Sequence, residues 1–315
     1  MRARLLCTIA IALVLQSVPA VQGAQRSDSE RHVFVTALDK AGTPIVGLTA
    51  EHFAVRESGR DRAVVSAEPL RTPMHVAVLV DTSVANGTPD EAFRSAVLAF
   101  IAHLAAANQV AVYSFGDRVS RIAGYTQDGA QLAAAGKGMF GWAHQRAHLI
   151  DAIDMALRDL ESIESPRPVI VAITSESPEA SGGTAGATIK RLIAQSVAFH
   201  ALSLAGGAGS TQAQGVTSDI PTKSARLGGL IAAGEGERER TRLIEQGTAA
   251  TGGGRQRVTS TLAIGGALGR VAGELANSYK VTFTRAGSGK MQDLQVGVMI
   301  EGITLRATPA PFGTR

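Results

Sequence analysis

The spacing of apolar residues changes along this chain, and the change divides it. His32–Leu38 alternates apolar and polar residues as a half-buried strand does, and Asp39-Lys40-Ala41-Gly42 follows with turn chemistry. Phe53–Glu57 and Ala63–Ala67 predict two further strands, joined by a turn at Ser58-Gly59-Arg60-Asp61. From Met74 to Val80 the sequence is continuously apolar and rich in β-branched residues, as expected of a strand covered on both faces. Phe93, Val97, Phe100, Ile101 and Leu104 then recur at helical spacing within Asp90–Ala106. Val110–Phe115, Val169–Thr174 and Val197–Leu204 predict more buried strands, separated by helices over Leu149–Leu160 and Ala187–Ser196. A Gly/Ser/Ala-rich stretch at 206–236 reads as an insertion, with a short helix possible at Ala225–Ala233. Helices are expected over Glu237–Ala250, stopped by Gly252-Gly253-Gly254, and over Leu262–Ala276. Tyr279–Thr284 and Leu294–Ile300 form a β-pair across a Gly/Ser turn, and Thr304–Thr308 adds a short strand.

Strands alternating with amphipathic helices imply an α/β fold, a mostly parallel central sheet with helices on both faces. The strands ending at Asp81, Gly116 and Ser175 should line one rim. The β unit at 32–70 is too small to bury a core alone. The expected organisation is therefore a secretory signal at 1–24, an N-terminal β unit at 32–70 and an α/β domain at 73–277. Residues 206–236 form a flexible insertion in that domain, and C-terminal strands at 278–310 complete a sandwich with the N-terminal unit.

Composition adds bounds. The 315 residues are 45% hydrophobic and 18% charged, a globular balance for roughly two domains. Arg2 and Arg4 precede the apolar core Leu5–Leu15, and Val21-Gln22-Gly23 offers small residues for cleavage, the pattern of a secretory signal. The apolar run is short for a membrane-spanning helix, with an uncleaved anchor as the alternative, and no second long apolar run follows, so no membrane span is expected in the mature chain. The single cysteine, Cys7, lies inside that signal, which leaves the mature chain without disulfides, a thiolate nucleophile or Cys-ligated zinc. Export without disulfides fits a bacterial envelope: periplasm, cell surface or outside. The formal charge of +4 falls to about +2 without Arg2 and Arg4. With basic residues scattered among acids and few aromatics, nothing supports nucleic-acid binding.

Candidate chemistry begins where the apolar strand ends, at Asp81-Thr82-Ser83-Val84-Ala85. Asp-x-Ser places a carboxylate and a hydroxyl at a strand's carboxyl edge, where ligands bind in α/β folds. This strand and motif resemble the opening of a von Willebrand factor type A (VWA) domain. Val35–Lys40, Gly42–Thr49 and His52–Glu57 are similar to the leader of an exported bacterial family, the "VWFA-related Acidobacterial domain". Glu274–Val281 is similar to that family's closing helix and strand, and Thr251-Gly252-Gly253-Gly254 to its preceding "T-G-G" step.

The resemblance implies a Rossmann-like α/β sandwich with a metal-ion-dependent adhesion site, the MIDAS. There an Asp-x-Ser-x-Ser loop, a Thr and a second Asp hold Mg²⁺, and a partner's carboxylate completes the shell. Carried over by position, Asp81 and Ser83 are kept. The second Ser is Ala85, the Thr falls on Ala147, and the second Asp on Ser175. Each change removes an oxygen or a charge that Mg²⁺ requires. The expectation is a degenerate site, with no cofactor and with Asp81 and Ser83 as a residual place for Mg²⁺ or Mn²⁺. The same resemblance points to a protein partner, bound at a rim containing Asp81, Ser83, Trp142, His148, Ser175 and Glu176.

Other constellations are weaker. His144 and His148 are four apart, a spacing that suits zinc, but Gln145 breaks the hydrolytic His-Glu-x-x-His pattern. A substitute site of His148, Asp81 and Glu176, or a hydrolase built on His144, His148 and Asp81, stands as an alternative. Asp151 and Asp154 suit the positive end of a helix. Trp142 is either a recognition anchor or core. No Gly-x-Ser-x-Gly elbow is present, and Gly287-Ser288-Gly289-Lys290 has the wrong spacing for a phosphate loop. No catalytic residue is assigned. The expected role is a non-enzymatic interaction module, with a purely structural envelope component as a further alternative.

Overall fold

The computed structural model describes residues 28–83, 91–139, 146–205, 234–286 and 293–309. The expected signal at 1–24, Ala85, Trp142, His144 and residues 206–233 of the insertion lie outside the described residues.

The chain opens with β1 (Asp28–Leu38), β2 (Phe53–Glu57), β3 (Arg60–Arg62) and β4 (Val64–Pro69). Next come β5 (His75–Asp81), α1 (Glu91–Ala105), β6 (Gln109–Phe115), β7 (Val119–Thr126), α2 (Gly129–Met139) and α3 (Leu149–Ser162). After β8 (Pro168–Ser175), α4 (Ala185–Ala194) and β9 (Ala198–Leu204), residues 234–251 form α5, which contains a π turn at Leu243–Gly247. The chain then runs through β10 (Arg255–Val258), α6 (Ile264–Ala276), β11 (Tyr279–Ala286), β12 (Leu294–Val298) and β13 (Thr304–Pro309).

Six strands make the central sheet, in the order β10-β9-β8-β5-β6-β7. All neighbours are parallel except β6 and β7. The continuous apolar run of β5 follows from this position. Val76, Val78 and Val80 enter the core shared with α1 and α6, while Ala77 and Leu79 enter the core shared with α3. A strand with helices on both faces has no side that can be polar.

A second, smaller core is built by β strands from both ends of the chain. One antiparallel sheet has the order β13-β1-β11-β4 and another β12-β2-β3, so the β-pair expected between Tyr279–Thr284 and Leu294–Ile300 does not form: β11 lies between β1 and β4, and β12 pairs with β2. Val33, Val35, Phe53, Val55, Tyr279, Val281 and Phe283 fill the space between them. β1 starts four residues earlier than its alternation predicts, because β11 is long enough to pair Asp28 with Ala286. The turn expected over Ser58–Asp61 is tighter than that. Ser58 (φ 49°) and Gly59 (φ 73°) both adopt the left-handed conformation of a two-residue hairpin, so Arg60 and Asp61 pair in β3 with Glu57 and Arg56.

The two units are joined by buried polar groups. Arg167, at the start of β8, donates to the Leu275 carbonyl (2.6 Å) and to Ser278 Oγ (3.2 Å). Arg306 of β13 pairs with Glu274 of α6. Among the described residues no helix is long and apolar enough to cross a membrane.

Candidate functional site

Parallel order brings the carboxyl ends of β5 and β8 side by side, with Val80 opposite Ile173 and Asp81 opposite Phe115 of β6. The chain leaving β5 is held by the Thr82 N–H, which donates to the Phe115 carbonyl at 3.1 Å. Asp81, Thr82 and Ser83 are all buried there.

Both oxygens of the Asp81 carboxylate are occupied by protein donors. Oδ1 accepts from the Ser83 N–H at 2.8 Å and from the Ser83 hydroxyl. Oδ2 accepts from the Ser175 N–H (2.8 Å), the Ser175 hydroxyl (2.8 Å) and the Thr174 hydroxyl (3.2 Å). Desolvation raises the pKa of this carboxyl, and the bonds from Ser83 and Ser175 oppose that rise. Ser175 Oγ also lies 3.1 Å from the Ser83 carbonyl and 2.8 Å from Ser177 Oγ, and the Ser177 hydroxyl donates to the Ser83 carbonyl at 2.8 Å. The two loops are thus laced together by hydroxyls.

The loop before α3 contributes backbone rather than ligands. The Ala147 N–H donates to the Pro178 carbonyl and the Ala180 N–H to the Ala147 carbonyl, both at 2.8 Å. The Ala147 methyl is fully buried in the apolar core beneath. Glu179 is buried behind this bridge. Its carboxylate caps α3 by accepting the Leu149 N–H at 3.2 Å, and takes the Ser181 N–H at 3.2 Å. Burial raises its pKa, against those hydrogen bonds and the charge of Arg240.

Of the residues singled out by sequence, Asp81, Ser83 and Ser175 come together. His148 and Glu176 do not join them. His148 precedes α3, with Nδ1 3.5 Å from Asp151, and Glu176 is exposed and paired with Arg257 across the sheet edge. Asp154 pairs with Arg191 of α4, and Asp151 accepts the Gly182 and Gly183 N–H groups. Among the described residues no group of three or more His, Cys, Asp or Glu is placed to hold a metal ion.

Sequence reasoning passed over Arg240. This α5 side chain is buried and donates through Nη1 to the Ser175 carbonyl and, at 3.1 Å, to the Ser177 carbonyl. Its Nη2 reaches Glu237 at 2.9 Å. It sits in the charge-rich run Glu235-Gly236-Glu237-Arg238-Glu239-Arg240, where nothing in the pattern distinguishes the one buried guanidinium. Ser177, two residues beyond Ser175, carried no separate signal either.

Mg²⁺ is the kind of ion that a carboxylate beside hydroxyls would take. A divalent ion of that kind needs several oxygens with free lone pairs in near-octahedral array. Here the Asp81 carboxylate accepts five hydrogen bonds, two of them from the Ser175 N–H and hydroxyl. Ala147 brings a buried methyl group and no side-chain oxygen.

No family model matches the sequence, and no curated protein matches it. Solved structures that resemble the chain include an aerotolerance-related membrane protein from Bacteroides fragilis, 17% identical, matched over 63% of this chain and 98% of that one with a TM-score of 0.42. The SpRpn10 VWA domain is 12% identical, matched over 62% of this chain and 93% of that one, with a TM-score of 0.40. Proximal thread matrix protein 1 from the mussel byssus, described with a zinc-occupied MIDAS motif, is 11% identical over 71% of this chain and 50% of that one, with a TM-score of 0.48. The zinc is a property of that protein.

Proposed function

We propose that this chain is an exported, VWA-like protein-interaction module that binds its partner at the carboxyl rim of the central sheet without a bridging cation. The observation that carries the reading is the saturated Asp81 carboxylate. Its hydrogen bonds come from Ser83, Thr174 and Ser175, the loops that would otherwise share a metal. Recognition then rests on loop shape and hydrogen bonding at a rim pre-set by the hydroxyl lacing and by Arg240. Export rests on the N-terminal pattern of Arg2, Arg4 and Leu5–Leu15.

The test is metal titration of the full chain by calorimetry and thermal unfolding. Mg²⁺ or Mn²⁺ should produce no binding heat and the same Tm as EDTA, because a ligand that binds only the folded state must raise Tm. Capture of a native partner should be equal in EDTA and in Mg²⁺. A partner lost in EDTA and restored by Mg²⁺, or a Tm rise that Asp81→Asn abolishes, sinks the proposal.

A further inference from the structure

Among the described residues, one edge of the central sheet is left unpaired along β10. β10 is the last strand of the sheet and, among the described residues, pairs only with β9. The Ala201 and Ala205 N–H groups of the β9 segment donate to the Gly254 and Val258 carbonyls, at 2.9 and 2.8 Å. Peptide groups alternate sides along a strand. The N–H and C=O groups of Arg255 and Arg257 therefore point away from β9, along the free edge.

The side chains on this edge are cationic and exposed. Arg255 lies 2.7 Å from Glu245 of α5, and Arg257 pairs with Glu176 of the rim. The Arg255 pair and Arg257 are more than half exposed, so these contacts are weak and exchangeable. A guanidinium has five N–H donors, and one glutamate leaves most of them available. A third guanidinium, Arg270 of α6, holds the Gln256 side chain through Nε (3.1 Å) and Nη2 (2.9 Å). Beside the edge, between β10 and α5, runs a groove of about 440 Å³ whose lining sets Arg240, Arg255 and Arg257 against Glu176, Glu237 and Glu245, with both edge arginines on its outer side. The π turn of α5 forms part of its wall, and such turns concentrate at functional sites.

We propose that this edge receives an extended, acidic segment of a partner protein as an added strand. Charge decides among the possible occupants. A second copy of the chain, paired edge to edge, would set Arg255 and Arg257 against the same arginines, and like charges across strands repel. An apolar strand would desolvate the Arg255–Glu245 and Arg257–Glu176 pairs and offer the remaining guanidinium donors nothing. A strand with carboxylates on alternate residues meets both arginines from one face while its backbone takes the outward N–H and C=O groups. Because the groove reaches Ser175 and Glu176, this names a partner chemistry for the rim already proposed and rests on that reading for its biological setting. Metal titration tests the rim alone, and peptide titration tests the edge alone.

The experiment titrates the full chain, by fluorescence anisotropy, with a short end-blocked peptide of alternating Glu and Val. The probes beside it are its Lys/Val counterpart and a Glu/Val peptide N-methylated on alternate residues. The Glu/Val peptide should bind about tenfold or more tightly than the Lys/Val peptide, and should weaken as salt rises. The Arg255→Glu/Arg257→Glu variant, altered only at exposed positions and checked for native circular dichroism, should reverse that preference. N-methylation, which removes backbone donors and leaves every charge, should abolish binding. Failure of the Glu/Val peptide to bind, equal binding of the Lys/Val peptide, or undiminished binding after N-methylation overturns the added strand.

Discussion

His200 offers a test of how the two units of the fold are held together, because its proton count is fixed by its neighbours. The ring lies in β9, fully enclosed where α6 and β13 meet the sheet, and Nδ1 accepts the Gly254 N–H at 3.1 Å. The proton is therefore on Nε2 and the ring is neutral. Nδ1 also approaches Glu274 Oε2 to 3.9 Å, but this is no ion pair, since the accepting nitrogen carries no proton. Burial first, and then the charges of Arg306 and Arg167, push the imidazole pKa from 6.5 down to about 3. The unfolded chain takes up a proton near pH 6.5, and the folded chain resists it until about pH 3. The stability contributed by this group is thus complete above pH 6.5 and is lost as the pH falls toward 3. At pH 4 the loss is about 3 kcal/mol, at roughly 1.4 kcal/mol for each pH unit below 6.5.

The perturbation is His200→Asn, which keeps an acceptor near the Nδ1 position and removes the titration. At pH 7 the variant should be less stable by about 2 kcal/mol, for the ring volume it gives up. That deficit should shrink as the pH falls and reach zero or change sign by pH 4. Urea unfolding at pH 7, 6, 5 and 4 reads this as the difference between the two proteins. Glu274 pulls the other way. Burial raises its pKa against the opposing charge of Arg306, so its contribution improves as the pH falls. Both proteins carry Glu274, so its pairing with Arg306 cancels and only its coupling to the ring 3.9 Å away enters the difference. A stability difference that stays constant from pH 7 to pH 4 would refute the argument and mean that His200 is hydrated or already charged.

Gly253→Ala should cost about 3 kcal/mol in denaturant unfolding, because a Cβ there would overlap the Phe199 carbonyl oxygen, which is backbone and cannot swing aside. Arg240→Met should cost about 2–3 kcal/mol, since the Ser175 and Ser177 carbonyls lose a charged donor. Amide hydrogen exchange should show Ser175–Ser177 losing protection in that variant while β5 and β6 keep theirs.

The α/β class was legible because β5, β6, β8 and β9 are buried on both faces, and burial on both faces leaves continuous apolar runs. What was not legible lacks that pressure. β7 is an antiparallel edge strand whose pattern is broken by Arg121 and Gly124 and whose pairing with β6 is irregular at Val112. α2 buries only Leu132, Gly136 and Met139, and the Leu98 side chain of α1 packs into the space beside Gly136. β10 has one apolar residue in four, so it shows no period at all; its strand character comes from β9 beside it. The same distinction runs through the candidate site. Asp81 and Ser175 could be placed near one another because each ends a strand whose burial is written in its sequence. Arg240 could not, because it reaches them from a helix face that looks solvated, and its role depends on two carbonyls that carry no side-chain signature. Polar groups that act on backbone leave little trace in a single sequence, and at this rim the Arg240 guanidinium and the Ser177 hydroxyl do just that, holding Ser83, Ser175 and Ser177 by their carbonyls.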